Sequence, residues 1–358
     1  MMKLSEKEWK LKKLTDDFRP VRGRESNMAM LELGDIPLIS AKNGSNGVKG
    51  FVNTPKKLVD GGCITLNNDG DGGAGLAYYQ STEMALDTHV TALIPRTDMK
   101  PDTMLFASEC ISRLHGFFGH GLSISNKRVK NIKIMLPVID SGEPDYEYMA
   151  EYTKQAREKL LSRYREYVEK RIAELGEEVE IPALSEKTWE SFAVEELFGK
   201  PISTKGKTTG DLIAGDDVPY IAAANSNNGY AGMYSAKEHP EWVSDGNAIV
   251  FVQLGDGAAG LAYYEPCNFI GMSGKTSCGY SEHLNEYTGV FMARCLSVNK
   301  EIFSHGHSWT GKRLVRTKVM LPINDSGEPA YEYMEQYAKN MMLRKYKQYL
   351  TFLDRDSR

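Results

Sequence analysis

"KIMLPVIDSGEPDYEYMAEY" occupies residues 133–152, and "KVMLPINDSGEPAYEYMEQY" occupies residues 318–337. Fourteen of the 20 aligned positions are identical at a spacing of 185, so one joint is written twice in a chain of 358 residues. Each copy has three parts. A short apolar run closed by Pro137 or Pro322 predicts a strand, Asp-Ser-Gly a turn, and Pro144 or Pro329 the start of a helix.

The repeat reaches outward from this joint. GDGGAGLAYY (70–79) matches GDGAAGLAYY (255–264) at the same spacing, and FGHGLSISNKR (118–128) matches FSHGHSWTGKR (303–313). IPLISAKNGSNG (36–47) matches VPYIAAANSNNG (218–229) at a spacing of 182, and Trp9 corresponds to Trp189. Upstream of each joint, β-prone runs such as IPLIS, CITLN and IVFVQL alternate with Gly- and Asn-rich turns, which predicts a compact α+β domain. Downstream, Met149, Tyr152, Ala156, Leu160, Tyr164, Tyr167, Ile172 and Leu175 recur mostly three or four residues apart. That spacing predicts one long helix with a single apolar stripe, stopped at Gly176. Met334, Ala338, Met342, Tyr346, Tyr349 and Leu353 repeat the pattern.

The expected fold class is therefore α+β. Two similar globular domains are separated by two long antiparallel helices, a coiled-coil-like spacer, with an internal pseudo-two-fold repeat. The expected division is 1–140 for the first domain, 141–184 for the first spacer and hinge, 185–325 for the second domain and 326–358 for the second spacer.

Bulk composition narrows the class. With 41% hydrophobic and 26% charged residues the chain reads as globular. No apolar run approaches the roughly 20 residues of a membrane span, and MMKLSEKEWK lacks a signal-peptide core, so the expected location is cytoplasmic, with no membrane partner. Five scattered cysteines without a C-x-x-C pair predict neither a disulfide framework nor a structural zinc site. A net charge of −4 neither announces nor excludes a nucleic-acid partner.

A globular domain ending in a basic segment and an apolar strand, then a long helix, all written twice, resembles the DNA specificity (S) subunit of restriction–modification systems. The segments SNKRVKNIKIMLPV and TGKRLVRTKVMLPI carry the resemblance most clearly. Type I subunits typically continue with a second Pro and an "EQ" helix start. This chain has DSGEPDYEYM and DSGEPAYEYM, which looks closer to type IIB subunits. The resemblance implies that each head is a target recognition domain reading one half of a bipartite, asymmetric site in double-stranded DNA. It implies docking of methyltransferase or methyltransferase–nuclease subunits on the helices, and no catalysis in this chain. S-adenosylmethionine and Mg²⁺ would belong to those partners, leaving no cofactor and no metal here.

Residue by residue, the polar turn before the last strand is the leading DNA-binding surface: His120, Ser123, Ser125, Asn126, Lys127 and Arg128, matched by His305, His307, Trp309, Thr310, Lys312 and Arg313. Hydroxyls, amides and cations suit phosphate oxygens and base edges. The Lys-Arg pairs recur at one place in both heads and are assigned to phosphates. The Asn-rich loops are a second surface: Lys42, Asn43, Ser45, Asn46 and Lys49, against Asn225, Ser226, Asn227 and Asn228. Discrimination between bases is expected where the heads differ, as at Lys42 against Ala224 and Lys49 against Ala231.

Two other readings stay open. The duplicated GDG loops, with Asp71 and Asp256, would serve a stand-alone hydrolase or nucleotide-binding protein, although a β-prone AYY follows where a phosphate cradle needs a helix. A two-headed protein-interaction scaffold is the other. His115, His120, His305 and His307 lack a nearby carboxylate or Cys at metal-ligand spacing.

Overall fold

The computed structural model describes residues 3–26, 31–70, 73–119, 121–255, 257–304 and 306–356. The chain divides into two units, Met1–Arg165 and Glu166–Arg358, and is α+β, with one globular head and a long-helix segment in each.

The repeated joint forms as its residues dictate. Lys133–Pro137 pairs antiparallel with Trp9–Lys13, and its pleat turns Ile134 and Leu136 inward while Lys133 and Met135 face out. The turn closes with Gly142 N–H on Ile139 O (2.8 Å) and Ile139 N–H on Glu143 O (3.0 Å). Gly142 has φ +84°, a conformation open to glycine at little cost. Asp145 then accepts the Tyr148 N–H (3.0 Å), satisfying one of the orphan donors of the helix Tyr146–Leu175. Thirty residues give that helix a length of about 45 Å. It ends where expected, with Gly176 at φ +76° donating to Ile172 O (3.1 Å).

In the first head, Phe18–Arg22, Val90–Pro95, Cys63–Asn67 and Ala77–Gln80 form an antiparallel sheet in that spatial order. A second sheet runs Val48–Val52, Leu33–Ile39, Met84–Leu86 and Leu58–Val59, with its middle pair parallel. Cys63–Asn67 is buried at every position, which is why CITLN shows no polar alternation. The helix Pro101–Ser112 buries Met104, Ala107 and Ile111, one stripe at helical spacing, against Ile64, Leu66 and Leu93. Each Met, Ile or Leu side chain among these contributes about 1.5–3 kcal/mol on burial.

The second head repeats this layout. Ile202–Ser203, Thr276–Gly279, Ala248–Val252 and Ala262–Glu265 make one sheet. Tyr230–Tyr234, Ala214–Ile221, Phe269–Gly271 and Val243–Ser244 make the other, again with a parallel central pair. Its helix Glu286–Ser297 is capped by Asn285, whose side chain accepts the N–H groups of Tyr287 (2.9 Å) and Thr288 (3.0 Å).

The second long helix, Tyr331–Asp356, is flanked within its own unit by the end of the first helix and the segment after it. Tyr167 meets Tyr346 edge-on, Asn340 bonds both the N–H and the O of Val179, and Tyr333 donates to Pro182 O (2.9 Å). One strand of contacts climbs as the other descends, so the pairing is antiparallel over this stretch. The apolar stripe expected on the first helix is only partly buried. Leu160 is 65% exposed and Tyr164 and Tyr167 are exposed, while Val168, outside the expected stripe, is buried. Among the described residues no helix is long and apolar enough to cross a membrane.

Candidate nucleic-acid interface

Three loops meet on each head, and their anchoring explains which side chains are free to act. The glycine loop joins Cys63–Asn67 to Ala77–Gln80 and closes with Gly75 N–H on Asn67 O (3.0 Å). A strand follows it rather than a helix, so the geometry of a dinucleotide cradle is not built. The glycines serve packing: a Cβ on Gly260 would lie 2.7 Å from Phe303 Cδ2 and 2.8 Å from Lys300 Cα. Asp71 and Asp256 lie outside the described residues.

The polar turn is tied to the neighbouring strand. Ile124 N–H donates to Asn68 O (2.7 Å), and Trp309 N–H donates to Gln253 O (3.0 Å). The arginines brace the turn from within, Arg128 Nη1 on Ser123 O (2.6 Å) and Arg313 Nη1 on Ser308 O. Ser125 Oγ accepts the Arg128 N–H (3.2 Å), and Thr310 precedes the short helix Gly311–Arg316 with its hydroxyl 3.3 Å from that of Ser308. Asn126, Lys127, Lys312 and Arg313 are exposed, as is His307, which lies parallel to Phe303. His120 and His305 lie outside the described residues.

Trp309 corrects the expectation most clearly. It is 0% exposed, stacked on Phe303, edge-on to Phe251, and its Nε1–H donates to Thr317 Oγ1 (2.8 Å). A side chain so enclosed cannot touch a ligand. Its counterpart is buried Ile124, so the position belongs to the core in both heads.

The Asn-rich loops are left-handed turns. Ser45 and Asn46 have φ +51° and +52°, and Asn227 and Asn228 have φ +49° and +51°. Asn tolerates this region better than most residues, which explains its use here. Asn46 is committed to holding the turn: its Nδ2 donates to Tyr79 O (3.0 Å) and Gln80 Oε1 (3.2 Å), and Gln80 Nε2 returns a bond to Asn46 O (2.9 Å). Lys42 Nζ bonds Val48 O (3.3 Å) across the loop. Asn43, Ser45, Lys49, Asn225, Ser226, Asn227 and Asn228 are exposed. In the second head the latch residue Gln80 becomes Glu265, and burial pushes its carboxyl up to about 7.

In the first head the loops enclose a cleft of about 580 Å³ that gathers Lys49, Gly70, Gly121 and Ser123 with Asp69 and His89. In the second head a basic cleft of about 530 Å³ lies at a different place, between the polar turn and the segment before it. It is lined by His307, Lys312, Arg313, Arg316 and Lys318 beside Phe303, and by no residue of the glycine or Asn-rich loop. Asp69, His89, Arg316 and Lys318 were not among the residues expected from sequence. A position-by-position comparison of the repeats finds the first two, since Asp69 aligns with Leu254 and His89 with Gly274.

Among the described residues no three His, Cys, Asp or Glu side chains gather as ligands, and His115 Nδ1 donates to Ala74 O (2.9 Å). Cys63, Cys110 and Cys295 are free thiols whose burial raises their pKa, to about 12, 12 and 11.

Residues 6–162 match the family described as the type I restriction modification DNA specificity domain. The chain is 25% identical over 334 residues, 92% of its length and 93% of the relative's, to the Type II restriction enzyme BgcI specificity subunit S.BcgI of Heyndrickxia coagulans. Among solved structures it is similar to the S subunit of a type-I restriction-modification system from M. genitalium, with a TM-score of 0.45, 12% identity and coverage of 99% of this chain and 96% of that one. It is similar also to the HsdS subunit from Thermoanaerobacter tengcongensis, with a TM-score of 0.31, 13% identity and coverage of 98% and 92%. The family's domain is thus matched across the first head, and a specificity subunit of another restriction enzyme aligns along almost the whole chain.

Proposed function

We propose that this subunit reads a bipartite, asymmetric sequence in double-stranded DNA, one half-site per head, and presents it to methyltransferase or methyltransferase–nuclease subunits docked on its long helices. One observation carries the reading. The same scaffold, built twice, exposes cations at one equivalent turn (Lys127 and Lys312) while the neighbouring loops differ between heads. Shared cations suit phosphates, which are alike in any sequence, and differing loop residues suit different bases.

Lys127, Arg128, Lys312 and Arg313 hold the DNA backbone in this reading, with Arg316 and Lys318 added in the second head. Asn43, Ser45, Lys49, Ser123, Ser125, Asn126, Asn225, Ser226, Asn227, Asn228, His307 and Thr310 stand on the exposed or half-exposed rims facing the nucleic acid. The chain itself catalyses nothing and holds no cofactor. S-adenosylmethionine and Mg²⁺ act in the partners, and a base is taken out of the stack there. The DSGEP joint and the type II relative favour a type IIB assembly working on DNA in the cytoplasm.

A long-read methylome of the source strain, with and without the gene, tests this. Loss of one bipartite methylated motif is the expected result. An unchanged methylome, with the partner subunits expressed, contradicts the proposal and turns attention to a protein-interaction scaffold.

A further inference from the structure

The cleft of the first head contains a carboxylate–imidazole pair that belongs to no motif of the repeat. Asp69 Oδ1 lies 2.7 Å from His89 Nδ1. A carboxylate at that distance accepts, so Nδ1 carries the hydrogen and Nε2 turns its lone pair away from Asp69. The imidazole is 57% exposed and Asp69 30% exposed, and both line the cleft with Lys49 and Ser123.

The pair is held from below rather than loosely hung. Asp87, itself buried, accepts the His89 backbone N–H (3.2 Å) and the Thr88 hydroxyl (3.2 Å). Asn68, next to Asp69, is fully buried, with its N–H on His89 O (2.9 Å) and its Oδ1 accepting from Thr91 Oγ1 (2.8 Å). Both ends of the pair are therefore fixed by backbone before any ligand arrives, which is what a discriminating contact needs.

The second head has dismantled the same place. Asp69, Asp87, His89 and Lys49 are replaced by Leu254, Met272, Gly274 and Ala231. Every charged or ionisable group among the described residues that line the cleft is lost at once, although the strands beneath keep their order. The second head builds the same strand order without these groups, so the layout does not depend on them, and a group that reads sequence is free to differ between heads.

We propose that His89, positioned by Asp69, is a base-reading residue of the first head, its Nε2 accepting a hydrogen bond from the exocyclic amine of a cytosine or adenine in the major groove. Lys49 across the cleft donates to a neighbouring acceptor, such as guanine O6 or N7. This rests on the proposed function, because it requires that the first head faces DNA bases.

The test keeps the full chain in its assembled complex and reads the methylated motif after substitution of His89→Ala, with Asp69→Asn as the milder change. The expected outcome for His89→Ala is relaxation at one position of one half-site, with preference there falling about 10-fold or more and the other half-site intact. Asp69→Asn should loosen the same position less. A motif unchanged in both variants overturns the proposal while leaving DNA reading by the heads in place. So does uniform loss of methylation without altered preference, which marks a structural or phosphate-contacting role. If no motif depends on the chain even before substitution, the proposed function itself has failed.

Discussion

The two heads agree where they are buried and disagree where they are open. Trp9 and Trp189 each donate Nε1–H to the carbonyl five residues earlier (3.0 Å in both), and each lies parallel to an aromatic ring, Phe106 or Phe291. Ser112 and Ser297 each bond the backbone of one alanine, Ala77 or Ala262. These contacts fasten the last helix of the head to its sheet. Duplication has kept them because each satisfies groups that would be costly to strand. At the cleft, by contrast, Asp69 and His89 have become Leu254 and Gly274. The frame is common property, and the surface is where each head has its own chemistry.

One half-buried position breaks this rule, and it sharpens it. Asp145 forms a 2.5 Å ion pair with Lys7 and caps the first long helix. Burial opposes ionisation of Asp145, but the Lys7 bond and the Tyr148 N–H outweigh it and hold the carboxyl below its ordinary range. The second head has Ala330 there, and Lys187 keeps only its place over the Tyr333 ring, as Lys7 does over Tyr148. The helix starts without the cap because the rest of the joint, Gly327 N–H on Asn324 O and Ala330 N–H on Pro322 O, still sets the turn.

The largest effect expected from breaking the comparison is at Trp309. Trp309→Ala should cost about 3–5 kcal/mol, since it empties a ring-sized space between Phe251 and Phe303. Hydrogen exchange followed by mass spectrometry should show faster exchange in Ala248–Val252 and no change in its counterpart Cys63–Asn67. Unchanged exchange in both strands, with only DNA binding reduced, would return Trp309 to the interface.

Next comes the position that latches the Asn-rich turn of the first head, Gln80, which is buried Glu265 in the second. The folded carboxyl of Glu265 titrates at about 7, above its ordinary 4.5. The unfolded chain therefore releases this proton first. Stability is unaffected below about pH 4.5, falls as pH rises towards 7, and carries the full penalty above that, about 3 kcal/mol. Glu265→Gln should accordingly stabilise the second unit by up to about 3 kcal/mol near pH 8 and by almost nothing near pH 4. Urea unfolding at the two pH values decides this; an equal gain at both would mean that ionisation is not the cause.

Much of the frame was legible in the sequence because it is local. The strand, Gly turn and helix of the joint are fixed by neighbouring residues, and the helix stopped at Gly176 as its left-handed conformation requires. The candidate interface was legible only where it coincides with a motif. Lys49 and Ser123, which line the first head's cleft, stand in repeated motifs, but Asp69 and His89 sit 20 residues apart and meet only through sheet pairing. Trp309 was misread, because it stands among polar residues yet points into the core. Asn46 stands exposed in its loop, and its amide is also bonded to Gln80, a partner distant in sequence. Ile124 in the equivalent position was the one local clue to Trp309. The stripe on the first long helix was a fair reading of periodicity, but periodicity says which residues share a face and not how much of that face is covered.

The central claim is that each head reads its own half-site. The most direct measurement replaces residues 189–322 with residues 9–137, the segment bounded by the same strand pair in the first head, and reads the methylated motif of cells carrying the chimera with its partner subunits. The account predicts that the second half of the motif disappears and is replaced by another copy of the first. Methylation that retains the original second half-site would contradict it.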